Sequence, residues 1–227
     1  NYFNYKKVKN IKEEKKIATK NIQEAYFAGW CFWCVESSFE KYSWIIDSIS
    51  WYAWWKVVDP TYEEVWSWKT WHREAVKIIY DADIIKYSDL LEIFWRTVNP
   101  TDDWWQYVDR WFVYTSAIYY QNKVEKNEAI LSKIKLWKSW RYKKELITPI
   151  IKFTTFYNAE EYHQDYYQKN PIRYNWYTNN SGRKEYLNSI WWNELKYKTK
   201  VSNIKNKEIP LKDRLTDMQY FVTQKNG

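Results

Sequence analysis

Apolar positions recur in short blocks between residues 21 and 170, and the spacing inside each block predicts an element. Ala25–Gly29 reads as a short apolar strand and Cys34–Tyr42 as a helix. Ile45, Ile46, Ile49 and Tyr52 are interleaved with Ser and Asp, which predicts a strand over Ile45–Tyr52. Residues 53–71 read as a loop, with Asp59-Pro60 as a turn signal. Glu74–Tyr80 alternates as a strand does. Leu90, Leu91, Phe94 and Trp95 fall on one face of a helix capped by Ser88 and stopped by Asn99-Pro100. A strand over Val113–Tyr120, a Lys- and Glu-rich helix over Val124–Trp137 and a strand over Pro149–Phe156 follow. A helix over Ala159–Gln168 comes last, ended by Asn170-Pro171. Strands alternating with helices predict an α/β or α+β domain of about 170 residues, and no internal repeat is visible.

Charge divides the chain further. Residues 1–20 carry seven Lys and two Glu, and residues 193–227 carry eight basic and four acidic residues. The net charge of +8 therefore sits in the two tails. A nucleic-acid binder concentrates positive charge on its folded face, so no nucleic-acid partner is expected. The organisation expected is a Lys-rich tail over 1–20, a folded domain over 21–192, and a linker with a further segment over 193–227. Mean hydropathy is −0.79 and no stretch of eighteen apolar residues exists, so no membrane span is expected. No signal peptide is visible, and the chain begins at Asn1 without Met, so an upstream segment is expected. A cytoplasmic monomer is expected, with an exported form that has lost its signal as the alternative.

The sharpest chemistry lies in Gly29-Trp30-Cys31-Phe32-Trp33-Cys34-Val35-Glu36. A strand ends, the chain turns and a helix begins near Cys31. A Cys at a helix start has its thiolate favoured by free N–H groups and the helix dipole. Cys34 lies one helical turn on and can attack an oxidised Cys31 sulfur. Half a zinc site and a pair of buried thiols are the other readings. Zinc needs two more ligands, and His72 and His163 are the only His in the chain. Two Cys cannot form a disulfide framework.

Phe27–Glu36 resembles the signature F-A-G-G-C-F-W-C-V-E of the A-type methionine sulfoxide reductases, and the resemblance extends over residues 24–175. Ser50–Trp55 resembles S-G-Y-A-G-G, and Trp68–Val76 resembles G-x-T-G-H-x-E-A-V. Asp109–Tyr119 is similar to the stretch ending Q-Y-R-S-A-I-Y, and Ala159–Tyr167 to A-E-x-Y-H-Q-x-Y. The resemblance implies a two-layer α/β sandwich around a mixed, ferredoxin-like sheet. It implies thiol-dependent reduction of methionine S-sulfoxide, free or in oxidised proteins. Cys31 would be the nucleophile and Glu74 the acid that protonates the sulfoxide oxygen. Tyr52 and Tyr114 would place hydroxyls on that oxygen, and Asp109 would assist by hydrogen bonding. Phe32 and Trp33 would hold the substrate methyl group. Cys34 would resolve the Cys31 sulfenic acid as a disulfide, with thioredoxin or another dithiol as reductant. No bound cofactor or metal is implied. Leu211–Gln224 resembles the start of a B-type reductase domain, L-x-x-x-L-T-x-x-Q-Y-x-V-T-Q; the catalytic part of such a domain is not expected in this chain, nor is activity on the R epimer. A noncatalytic relative with Trp-blocked turns and a general dithiol oxidoreductase are the alternatives.

The departures from the family form one pattern. Trp stands at 30, 51, 54, 55, 68, 71 and 111, where the family has Gly, and the same substitution is read at 44, 66, 104 and 105. Gly serves turns where φ is positive or backbones approach closely, and a bulky residue does not follow it there. The chain has 18 Trp and 3 Gly. Decoding of UGA as Trp where the source reads Gly produces this pattern. Keeping Trp33 and Trp95 and returning the other sixteen would bring Gly to 19 of 227, near the usual share of about 7%.

Overall fold

The computed structural model describes residues 21–53, 64–65 and 72–199. The expectations for the tail 1–20, for most of the loop 53–71 and for the segment Leu211–Gln224 lie outside the described residues. The elements begin β1 (Ile22–Ala28), α1 (Phe32–Glu40), β2 (Ile45–Ala53), β3 (Arg73–Asp81), α2 (Tyr87–Trp95), β4 (Trp105–Gln106) and β5 (Asp109–Arg110). They continue with β6 (Ala117–Tyr120), α3 (Lys123–Lys138), β7 (Ile150–Lys152), β8 (Phe156–Asn158), α4 (Tyr166–Lys169), α5 (Pro171–Asn180) and α6 (Arg183–Trp191).

The main sheet has the order β7-β6-β1-β3-β2-β8. β3 inserts between β1 and β2 and runs antiparallel to both. β6 is antiparallel to β1, and β7 is parallel to β6. The four central strands thus have the ferredoxin-like order, in a mixed sheet with helices packed on it. β1 is covered on both faces, which is why it reads as an apolar run and not as an alternation. Ala25 and Phe27 face the core under α1 and α2, and Tyr26 and Ala28 join a second cluster with Ala75, Ala117 and Phe156. Phe27 lies 5.4 Å from Phe39 and 5.0 Å from Phe94, ring centre to ring centre. Full burial of such a ring stabilises by roughly 2–3 kcal/mol. Gly29 follows β1 where a Cβ would lie 2.3 Å from Cγ1 of Val98, so only Gly fits.

Several expected elements differ. Ser88 lies inside α2; the cap is Lys86, whose N–H donates to Oδ2 of Asp89 at 3.1 Å. The expected strand Val113–Tyr120 opens as a 3-10 turn over Phe112–Tyr114, because Trp111 takes φ 102° and the Thr115 N–H turns back to Phe112. The expected strand Pro149–Phe156 is two strands on opposite sheet edges. The sheet curls, so residues 153–155 cross between them, with Phe153 and Phe156 stacked on each other and tilted against Tyr26. The expected helix Ala159–Gln168 is a 3-10 turn at Glu161–His163, a left-handed Asp165 and the short α4. Polar docking prevents a continuous helix: the Gln164 amide exchanges hydrogen bonds with the Ser50 backbone and donates to the Ala159 carbonyl, and Glu36 accepts the Asp165 N–H at 2.7 Å. α4 ends at Asn170-Pro171, as expected, and Pro171 also starts α5, where its missing N–H costs nothing. No helix among the described residues is long and apolar enough to cross a membrane. Six described non-Gly residues have positive φ, and four are Trp: Trp30, Trp111, Trp140 and Trp192.

Candidate active site

The turn from β1 into α1 sets the chemistry. Cys31 is the residue before the first helical turn, and its carbonyl accepts the N–H of Cys34 at 3.0 Å. The Phe32 N–H is left free by the helix start and donates to Oε2 of Glu74 at 2.9 Å. β3 brings Glu74 there, paired in register with Tyr52 of β2. Burial pushes the Glu74 carboxyl up to about 8; the Phe32 N–H opposes the rise and the charge of Asp109 adds to it. Glu74 is therefore a carboxylic acid at neutral pH. Cys31 and Cys34 are buried free thiols. Burial also pushes the Cys31 thiol well up, helped by Cys34 and by the charges of Glu74 and Asp109. Desolvation opposes the thiolate that the helix start favours, and it is the larger of the two effects.

Asp109 reaches the same place from β5. Its carboxylate accepts hydrogen bonds from the Tyr177 hydroxyl and the Trp30 indole N–H. Burial raises its pKa, and these two bonds oppose the rise. Tyr114 lies on the following 3-10 turn, and its carbonyl fixes the site turn by accepting the Trp30 N–H at 2.8 Å. The Trp33 ring stacks on Tyr166 at 3.7 Å, and its N–H donates to Nδ1 of His163 at 3.1 Å. Burial holds His163 neutral down to about 4.

A cleft of about 220 Å³ joins these groups, lined by Cys31, Phe32, Trp33, Glu74, Asp109 and Tyr114. Tyr166, Arg173, Tyr174, Trp176 and Tyr177 complete its wall. Two expected site residues lie next to the cleft without lining it. Cys34 is buried in α1, within hydrogen-bond reach of the Cys31 thiol. Tyr52 is fully buried beside Glu74 and donates its hydroxyl to Oε2 of Glu160 at 2.8 Å. The sequence reading missed Glu160, Tyr166 and the whole of α5. The signal for α5 was present in Pro171 followed by Tyr174 and Tyr177 one helical turn apart. His72 is buried beside Tyr157, away from the cysteines' cleft. Among the described residues the one group spaced to hold a metal is Glu36, Glu40 and Asp165, which contains neither Cys nor His. A protonated acid beside a thiol, walled by aromatic rings, can deliver a proton to a polar oxygen while the sulfur attacks its neighbour.

A family model described as peptide methionine sulfoxide reductase matches residues 23–195. The chain is 38% identical over 222 residues to a peptide methionine sulfoxide reductase MsrA/MsrB of Vibrio cholerae, across 91% of this chain and 59% of that relative's length. It is 43% identical over 181 residues to a peptide methionine sulfoxide reductase MsrA of Bacillus velezensis, across 80% of this chain and 98% of the relative. Reduced Mxr1 from Saccharomyces cerevisiae aligns with a TM-score of 0.62 at 27% identity, covering 66% of this chain and 87% of that one. With this match spanning the strands and helices that build the Cys31 cleft, the chain belongs to the peptide methionine sulfoxide reductase family.

Proposed function

We propose that the chain reduces the S epimer of methionine sulfoxide, free or in oxidised proteins, using Cys31 as nucleophile and Glu74 as acid. The observation that carries this reading is the neutral Glu74 carboxyl held on the Phe32 N–H beside the Cys31 thiol. A general dithiol exchanger has no use for a buried acid there. Phe32 and Trp33 receive the substrate methyl group, and Tyr114 offers the hydroxyl on the cleft wall. Cys31 Sγ attacks the sulfoxide sulfur as Glu74 lends its proton to the oxygen and regains one from the thiol. The S–O bond breaks to release hydroxide, hydroxide attacks Cys31 Sγ and displaces methionine from it, and Cys31 is left as a sulfenic acid. Cys34 then attacks that sulfur, releasing water and forming the Cys31–Cys34 disulfide. An external dithiol, thioredoxin in this reading, returns both thiols by exchange. Methionine sulfoxide and two thiols have become methionine, a disulfide and water.

The test follows methionine formed from the resolved S epimer. Cys31→Ser should abolish it. Cys34→Ser should give one methionine per chain in a burst and lose turnover driven by thioredoxin, with partial rescue by dithiothreitol. Turnover by Cys31→Ser would place the chemistry elsewhere, and full thioredoxin turnover by Cys34→Ser would remove its resolving role.

A further inference from the structure

α5 has no fully buried residue, yet it lies over the catalytic cleft. Two tyrosine hydroxyls pin it there. Tyr174 bonds to Oγ of Ser37 at 2.5 Å on α1, and Tyr177 donates to the Asp109 carboxylate on β5. The Tyr177 ring stacks on Trp30 at 5.4 Å, so the hydroxyl has little freedom to leave. We propose that Tyr177 is a positioning residue for the reduction: its hydroxyl orients the Asp109 carboxylate in the cleft, and through Asp109 it keeps Glu74 able to act as the acid.

The chain of effects has three links. A hydroxyl donor favours the charged form of a carboxylate, and the Tyr177 bond lowers the Asp109 pKa against its burial. A charged Asp109 in turn raises the pKa of Glu74 and so keeps its proton in place near neutral pH. The other groups facing this pair are Cys31 from the turn, Tyr114 from the 3-10 turn and Arg173 from α5. Tyr52 reaches Glu74 from β2, and the Trp30 N–H is the second donor to Asp109. Tyr177 is the donor that comes from α5, so it ties the acid's protonation to the seating of that helix.

The inference rests on the reductase reading for its rate measurements only, and it is tested on the full chain in two ways. Infrared difference titration follows the protonated Glu74 carboxyl, assigned by its loss in Glu74→Gln, whether or not turnover occurs. Tyr177→Phe keeps the ring and removes one oxygen; it should lower the Glu74 midpoint by up to about one pH unit, the limit being complete loss of the Asp109 charge beside it. The alkaline fall of the single-turnover rate should move by the same amount, a loss of up to about fivefold where Glu74 is half titrated in the parent. In the Asp109→Asn background, Tyr177→Phe should have no further effect on either readout, because the two residues act through one bond. Tyr177→His retains a ring N–H donor and should recover part of the shift; it also serves if the Phe variant fails to melt cooperatively. An unchanged Glu74 midpoint in both Tyr177 variants overturns the inference, as does an equal loss in the Asp109→Asn background. A normal Glu74 shift in a chain that reduces no sulfoxide would instead overturn the proposed function and leave this coupling standing.

Discussion

Two regions of the molecule are built on the same residue type and use it in opposite ways. Against α2 and α3, Trp95 and Trp191 are buried in ordinary helical backbone. The Trp95 indole donates to Oγ of Ser132 at 2.8 Å, and the guanidinium groups of Arg96 and Arg141 lie 4.1 and 4.7 Å over the Trp191 ring. At the turns, Trp30, Trp111, Trp140 and Trp192 sit at φ between 49° and 102°. Such a backbone costs a bulky L residue about 1–3 kcal/mol, and Trp140 and Trp192 are 83% and 78% exposed, so packing returns little of it. The four turn positions have the geometry that glycine serves. All four fall among those the decoding reading returns to Gly. Trp191 falls among them too by count, but its backbone and contacts place it with Trp95. At these four turns it is backbone conformation, not abundance, that marks a tryptophan in a glycine's place.

Mutation separates the two regions most sharply in the core. Trp95→Gly and Trp191→Gly should each cost about 3–5 kcal/mol, since a large ring is lost and a cavity remains. Chemical denaturation measures this, and a cost below about 1 kcal/mol would dissolve the contrast. The opposite sign is expected at the exposed turns. Trp140→Gly and Trp192→Gly should each stabilise by about 1–3 kcal/mol, because the strained φ becomes free and little packing is lost. If either change destabilises, the turn tryptophans are true residues held by contacts. The intact mass of the protein from its source organism gives an independent answer, since each Trp read as Gly removes one indole side chain.

The same division explains what was legible in the sequence. β1, α1, β2, β3 and α2 were readable because their apolar positions keep one period and their ends carry turn residues. The segment 112–120 misled because Val113 and the run Ala117–Tyr120 look like one strand, while the turn between them depends on the φ of Trp111. Residues 159–168 misled because side-chain amides and carboxylates, not periodicity, hold them against α1 and β2. α5 lacked an apolar stripe since it lies over a cleft and buries no residue fully. Cys31, Glu74 and Asp109 could be named from motifs, but their protonation could not. That depends on how deeply the folded chain covers them, and Tyr52 has a hydrogen-bond partner, Glu160, that the motifs did not single out.

The last effect concerns pH and sets the turn region apart once more. Glu74 titrates near 8 in the folded chain and near 4.3 in an unfolded one. Between these values the folded state holds the extra proton, so stability falls as pH rises and levels off above about 8. One group limits the slope to about 1.4 kcal/mol per pH unit. Trp30 lies in this region, fully buried, bonded to Asp109 and stacked on Tyr177. Trp30→Gly should admit water to the cleft and bring Glu74 back toward the ordinary carboxylate range, flattening the decline. Trp191→Gly should lower stability at every pH and leave the slope alone, since its ring packs against Arg96 and Arg141 and does not line the Glu74 cleft. Denaturation midpoints between pH 5 and 8 compare the two variants directly. Equal slopes in parent and Trp30→Gly would mean that burial of Glu74 owes nothing to the tryptophan at the turn.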